Sequence, residues 1–132
     1  MKVDETCRYT TTHEWLRTEG DEATIGITDF AQEQLSDIVY VELPEEGDEF
    51  EKGDVFATVE SVKAASNCYM PIGGEIIAIN TELEGAPQLL NEDPYGAGWL
   101  VRCRARDLSE MDDLMDAAAY KEHCARELSE TG

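Results

Sequence analysis

Short runs of β-branched and aromatic residues, separated by frequent turn signals, fill the chain up to about residue 98. Each turn signal places a glycine beside acidic or small residues, and the signals lie at 19–21, 46–48, 52–54, 72–74 and 95–98. The runs between and after them are 23–27, 38–43, 55–60, 75–79 and 99–104. Short strands joined by frequent turns are typical of a sandwich or a barrel. The sequence therefore predicts a mainly β fold.

Two segments have helical patterns instead. Residues 29–35 begin with Asp29 and Gln32 at capping-box spacing. From about residue 108 to 128, apolar residues recur at helical intervals and predict a C-terminal helix. No linker is long enough to divide the chain, so we expect a single domain over residues 1–132.

The charge balance restricts the partners of the chain. It has 10 basic and 30 acidic residues, a net charge of −20, which repels nucleic-acid phosphates and anionic lipids. No apolar run approaches the roughly 20 residues needed to cross a bilayer, and residues 1–7 have no apolar signal region. We therefore expect no nucleic-acid or membrane partner. We also expect a cytoplasmic location, or the mitochondrial matrix if the source is eukaryotic.

Lys63 is one of only four lysines, and it lies between two predicted strands in a hairpin of about residues 55–80. An ordinary surface lysine is one interpretation. The other is an attachment point, because acylation of a lysine at a hairpin tip gives a long flexible tether for a covalent cofactor. Biotin and lipoate both use this linkage. Biotin carriers usually have methionine on both sides of the lysine, so Val62 and Ala64 favour lipoate. Glu60 and Ser61 complete the predicted recognition context for the modifying enzyme.

The sequence contains no set of residues typical of catalysis or of a metal site. The four cysteines show no short metal-binding or redox spacing. His13 has no nucleophile near it in sequence, and His123 falls on the predicted C-terminal helix, where we expect a solvated side chain. We therefore expect a protein that is not an enzyme and that binds no metal.

Several motifs occur in the order and at the spacing of one protein family. They are Tyr9-Thr10, His13-Glu14-Trp15 and the segments 26–32, 41–44, 59–66 and 91–100. Through these motifs the chain resembles the H proteins of the glycine cleavage system, from about Tyr9 to Arg126. The resemblance implies a lipoyl-domain-like β-sandwich, or barrel-sandwich hybrid, with short helices and a C-terminal helix. It also implies lipoate bound covalently to Lys63.

The resemblance further implies a set of partners. The carrier would take the aminomethyl group of glycine from the pyridoxal-phosphate-dependent glycine decarboxylase (P protein) to the tetrahydrofolate-dependent aminomethyltransferase (T protein). Dihydrolipoyl dehydrogenase (L protein) would reoxidise the dihydrolipoyl group, and a lipoate ligase or a lipoyl/octanoyl transferase would attach it. An alternative is an H-like lipoyl carrier that serves another pathway, such as sulfur oxidation or lipoyl relay.

In this family the loaded arm can fold into a cleft on its own protein. An acidic residue there would hold the ammonium of the arm by a charge-assisted hydrogen bond. The resemblance assigns this role to Glu14, with Thr12 and Asn67 beside it. The family often has aspartate where this chain has Asn67, and a neutral amide attracts an ammonium less.

Overall fold

Two antiparallel sheets form the body of the chain in a computed structural model, which describes residues 1–131 and their side chains up to residue 129. The six-stranded sheet has the order β1 (Arg8–Tyr9), β2 (Glu14–Glu19), β3 (Glu22–Ile27), β9 (Val101–Ala105), β8 (Gly74–Ile79) and β5 (Glu49–Phe50). The three-stranded sheet has the order β4 (Ile38–Glu42), β6 (Val55–Ser61) and β7 (Ala65–Tyr69). The mainly β prediction is confirmed.

Strand β2 was not among the strands predicted from the sequence, although the turn signal at 19–21 lies at its end, and its position is explained by its neighbour. Trp15 of β2 lies directly opposite Gly26 of β3. A Cβ atom on Gly26 would approach the Trp15 indole to 2.7 Å, closer than van der Waals contact allows. The missing side chain of Gly26 thus makes room for a fully buried tryptophan and sets the position of the adjacent Glu14.

The core has two parts. The larger cluster lies among the strands of both sheets and includes Leu16, Ile25, Val59, Ile76 and Leu100. A second, mostly aromatic cluster contains Tyr9, Trp15, Phe30 and Tyr120, with Cys7, Ala117 and Cys124. Burial of such large apolar side chains contributes about 1.5–3 kcal/mol for each one. The aromatic cluster is the one that fixes the C-terminal helix against the β1–β2 region.

Helix α1 (Asp29–Leu35) has the predicted bounds but a different cap. The Thr28 hydroxyl accepts a hydrogen bond from the Ala31 backbone N–H, so Thr28 is the N-cap residue. Asp29 instead accepts hydrogen bonds from the Gln32 side chain and from the Lys2 backbone N–H. Two single-turn helices, α2 (Glu82–Gly85) and α3 (Leu89–Glu92), occupy the connection between β8 and β9.

The predicted helical segment of residues 108–128 is divided in the structure. A 3₁₀ helix spans Leu108–Asp113, and α4 spans Ala117–Thr131. Between them Met115 exchanges backbone hydrogen bonds of 2.8 and 2.9 Å with Tyr9. This bridge requires extended backbone at Met115, so the helix is interrupted there. The apolar residues keep their helical spacing across the interruption. Their spacing cannot reveal the interruption, because the bridging partner, Tyr9, is distant in sequence. Within the described residues, no helix is long and apolar enough to span a bilayer.

The predicted hairpin of residues 55–80 contains strands of both sheets. Strands β6 and β7 pair with each other, with Val59 opposite Ser66 and Glu60 opposite Ala65. Strand β8, at the end of that range, pairs with β5 and β9 in the six-stranded sheet. The turn between β6 and β7 is therefore the tip that presents Lys63.

Candidate functional site

Lys63 lies in the tight turn between β6 and β7, and its side chain is exposed. The Ser61 hydroxyl organises this turn. Its oxygen accepts hydrogen bonds from the backbone N–H groups of Lys63 and Ala64, at 3.1 and 3.0 Å, and it donates to the Ala64 carbonyl at 3.0 Å. The backbone of Lys63 is therefore held in one conformation while its side chain projects from the tip.

A second contact ties the tip to the rest of the molecule. The Val62 backbone N–H donates to the Asp37 carbonyl at 3.0 Å, in the segment between α1 and β4. The Lys63 ammonium donates to the Gln34 carbonyl at 3.2 Å, near the end of α1. The hairpin tip is thus fixed against α1 on one side.

The surface next to the tip is partly apolar. The Val62 side chain is 70% exposed, and Val39 and Tyr40 of β4 are also exposed. Glu60 is exposed and pairs with Tyr40 across the sheet, and Ala64 is exposed beside the lysine. The groups exposed around the lysine are therefore small, apolar and acidic.

Glu14 is buried, with 1% of its surface exposed. Its carboxylate accepts hydrogen bonds from the hydroxyl groups of Thr10 and Thr12, at 2.6 and 2.5 Å. Burial raises the pKa of Glu14, and these hydrogen bonds partly oppose the rise. A carboxylate kept out of water in this way favours a cationic ligand, which would compensate its lost hydration.

Glu14 and Thr12 line the larger of two clefts on this side of the molecule. This cleft has a volume of about 440 Å³, and its apolar walls include Met70, Leu114 and Met115. The second cleft, of about 250 Å³, is lined by Gln34, Leu35, Ser66 and other residues, and Thr12 lines both. Thr12 is therefore common to both clefts, and Gln34 of the smaller one accepts a hydrogen bond from the Lys63 ammonium.

Asn67 lies on β7 opposite Thr58, whose hydroxyl donates to the Asn67 side-chain oxygen at 3.3 Å. Its side chain is exposed, and it is not among the residues that line either of these clefts. The structure therefore brings Glu14 and Thr12 together and leaves Asn67 apart from them.

Sequence reasoning missed Gln34, Ser66 and Met70 as cleft residues. Gln34 contacts Lys63 through its backbone carbonyl, a group that every residue has, so its side-chain type carries no signal. Ser66 did stand in the motif around Lys63, but its position beside α1 follows only from the pairing of β6 with β7.

The expectation that His123 is solvated was wrong. Its ring is 5.6 Å from that of His13, and its Nε2 atom lies 2.9 Å from the Glu127 carboxylate. His13 itself is half-buried, stacks on Phe30 and has a positive φ of 73°.

The four cysteines are all buried, and burial raises the pKa of the Cys68 thiol, so this thiol near the hairpin is unreactive.

The sequence matches that of known proteins. The family model described as "Glycine cleavage H-protein" matches residues 7–127. The chain is 54% identical over 114 residues to a glycine cleavage system H protein of Thermus thermophilus, covering 86% of this chain and 89% of the relative. It is 52% identical over 120 residues to that of Thermotoga maritima, covering 91% and 97%.

A solved structure shows the same fold. The crystal structure of a glycine cleavage system H protein from Mycobacterium marinum superposes with a TM-score of 0.83 at 33% sequence identity. The match covers 89% of this chain and 95% of that one. The expected sandwich with short helices and a C-terminal helix is confirmed.

Proposed function

Because the chain belongs to the glycine cleavage H-protein family, whose members are carriers and not catalysts, we propose that it carries lipoate on Lys63 and serves a glycine cleavage system. The observation that supports this most strongly is the position of Lys63. It is the one described lysine at the turn of a paired hairpin. Lys52, by contrast, lies between β5 and β6, which belong to different sheets, and its ammonium is bound to Asp113 and to the Glu110 carbonyl.

The residues around the clefts fit a lipoyl group. A lipoyl arm is apolar along its length, and the larger cleft has apolar walls with one buried carboxylate, Glu14. A lipoyl group on Lys63 would supply a dithiolane able to accept the aminomethyl group of glycine at the P protein, and the dithiol left after transfer at the T protein would be reoxidised by the L protein. The described residues contribute presentation and shelter to this cycle, since the reacting groups come from the cofactor and the partner enzymes.

Glu14 is proposed to hold the cationic end of the loaded arm. A primary ammonium at the end of the larger cleft would form a charge-assisted hydrogen bond with this carboxylate. The Thr10 and Thr12 hydroxyls orient the carboxylate by donating to it. Asn67 would act on the arm nearer to the hairpin, since it projects from β7 outside the clefts.

The attachment site can be tested by mass spectrometry after co-expression with a lipoate ligase. We expect one lipoyl group on Lys63, complete loss of the modification in Lys63→Arg, and full modification of the control Lys121→Arg on the exposed face of α4. A lipoyl group on any other lysine, or an unmodified Lys63 with an active ligase, would contradict the assignment.

The pathway needs a separate assay. The lipoylated protein is mixed with its cognate glycine decarboxylase, and exchange of labelled bicarbonate into glycine is measured. We expect exchange that depends on the carrier and is absent with Lys63→Arg. A carrier that is fully lipoylated but supports no exchange would indicate the alternative, an H-like carrier of another pathway.

If Glu14 shelters the loaded arm, the Glu14→Gln variant should lose the aminomethyl group from the arm faster than the parent protein does. Removing a charge-assisted hydrogen bond costs about 1.5–3 kcal/mol, so Glu14→Gln should accelerate hydrolysis by roughly 10-fold or more. Release of ammonia or formaldehyde from the isolated loaded protein measures this rate. Glu45→Gln, an exposed carboxylate, is the charge-matched control. Equal rates in the two variants would rule out the role of Glu14.

A further inference from the structure

We propose that His13, His123 and Glu127 form a site for a borderline divalent metal ion of the zinc class. The ion would join helix α4 to the turn that precedes β2. This inference does not depend on the proposed function. Sequence spacing predicted no metal site, because His13 is separated from His123 and Glu127 by more than a hundred residues and only the fold brings them together.

The three side chains converge on one point. The His13 Nε2 atom lies 2.9 Å from one Glu127 carboxylate oxygen and 3.1 Å from the other. The His123 Nε2 atom lies 2.9 Å from the same carboxylate. One ligand atom from each of the three residues falls within 4.8 Å of the others. A tetrahedral ion with bonds of about 2.0–2.2 Å to nitrogen and oxygen holds its ligand atoms about 3.3–3.6 Å apart, so binding would need only small side-chain movements of the three residues.

The second nitrogen of His13 is already anchored. Its Nδ1 atom lies 2.7 Å from the Tyr120 hydroxyl, which lies 2.6 Å from the Thr28 hydroxyl. If Nδ1 carries the proton and donates to Tyr120, Nε2 presents a lone pair toward the Glu127 carboxylate. Two acceptors then face each other, and a divalent ion between them would satisfy both. In the other tautomer, Nε2–H donates to the Glu127 carboxylate and no ion is needed. An outer hydrogen bond on the other ring nitrogen is also what orients metal-binding histidines.

The setting of the three side chains suits a metal ion. The site is half-buried and borders the smaller cleft, which gives an ion access from solvent. Two imidazoles and one carboxylate, with water as a fourth ligand, suit zinc better than magnesium or calcium. His123 also lies 3.2 Å from the Thr11 carbonyl and would give up this contact on binding metal.

The location suggests what the ion would do. His13 lies between Thr12 and Glu14, which both line the larger cleft. His123 and Glu127 lie one turn apart on α4. A bound ion would therefore link the C-terminal helix to the segment that positions Glu14.

The test is calorimetric titration of the full chain, free of any affinity tag, with zinc in the presence of excess magnesium. The excess magnesium occupies weak cation-binding positions among the surface carboxylates, so that the heat of titration reports only a site that is selective for zinc. The Lys63→Arg background removes any lipoyl thiols that would bind zinc. We expect one equivalent to bind and a rise in Tm on binding. His123→Gln and Glu127→Gln should each weaken binding by at least about 10-fold. Glu122→Gln, an exposed carboxylate on the same helix, should bind like the parent.

A spectroscopic measurement keeps the test valid if a variant is destabilised. Cobalt substitution reports the ligand types, and nitrogen-15 spectra of the imidazoles report metal on His13 and His123 Nε2. Thiolate charge-transfer bands from the cysteines would overturn the proposal. So would the absence of selective zinc binding, or binding that the His123 and Glu127 substitutions leave unchanged.

Discussion

Glu14 differs from nearly all other acidic residues of this chain because it is buried. The chain has 30 acidic residues, yet Glu14 and Asp29 alone are buried among those described. Removing a carboxylate from water is unfavourable unless hydrogen bonds or a cation compensate. Thr10 and Thr12 supply hydrogen bonds but no positive charge. Because no positive charge balances the buried Glu14 carboxylate, Glu14 is suited to a cationic ligand. Without such a ligand, its burial lowers the stability of the protein.

This cost predicts a specific pH dependence. The pKa of Glu14 is raised above its ordinary value of 4.5, so between the two values the folded protein binds more protons than the unfolded chain. The contribution of Glu14 to stability is therefore full below about pH 4.5 and is lost as the pH rises through the raised pKa. Glu14→Gln does not titrate. We expect the free energy of unfolding of the parent to fall relative to Glu14→Gln as the pH increases from about 4 to 7.

Urea unfolding of both proteins across this pH range measures the difference. The control is Glu45→Gln, whose exposed carboxyl should show no such trend relative to the parent. A parent that gains stability relative to Glu14→Gln with rising pH would show that the folded state prefers the charged carboxylate, against the assignment.

At the scale of elements, the docking of α4 depends on a few contacts with the β1–β2 region. Tyr120 is fully buried, and its ring stacks on Tyr9 with centroids 4.4 Å apart. Its hydroxyl contacts Thr28 and His13, which belong to the N-cap of α1 and the turn before β2. One side chain thus connects three segments that are distant in sequence.

Tyr120→Phe tests this connection. The ring remains, but the hydroxyl is lost and its buried partners are left without one hydrogen bond, which costs about 1–3 kcal/mol. We expect a corresponding decrease in the free energy of unfolding in urea with an unchanged slope. Tyr40→Phe is the matched control, since Tyr40 is 52% exposed. Equal stability of the two variants would mean that the hydroxyl does not hold α4.

At the scale of the whole molecule, the net charge of −20 dominates the electrostatics. Among the described side chains, the ion pairs of arginine and lysine with acidic residues are mostly at the surface, as with Arg106 and Glu51 or Arg104 and Glu75. Such exposed pairs contribute little individually. Repulsion among the remaining carboxylates destabilises the compact state, while the same field would speed encounters with basic partner surfaces.

Salt should therefore stabilise this protein. Raising the ionic strength from about 0.01 M to 0.15 M shortens the Debye length from about 30 Å to 8 Å and screens most of the repulsion. We expect Tm to rise by several degrees, equally in sodium and potassium chloride. The rise should be smaller near pH 4, where many carboxylates are protonated. A Tm that stays constant or falls with salt at pH 7 would show that the acidic surface is not self-repelling in the folded state.

The elements and the proposed attachment residue follow largely from local sequence. Glycine-centred turns and β-branched runs marked β3, β4, β6, β8 and β9 within a few residues, because these signals act over short distances. Helix α1 was predicted with its bounds. Lys63 stood out through its scarcity and its flanking motif, which needs no knowledge of other segments.

Tertiary structure decided the rest, since it depends on contacts between distant residues. The break at Met115 exists because that residue bridges to Tyr9, and helical periodicity cannot reveal it. The burial of Glu14, the exposure of Asn67 and the meeting of His13 with His123 likewise depend on how sheets and helix pack. The sequence by itself determined the local elements and the lysine proposed to carry a cofactor, because these signals lie within a few residues of one another. The packing of α4 and the two sheets determined which residues bury Glu14 and line the clefts, because those contacts join segments distant in sequence.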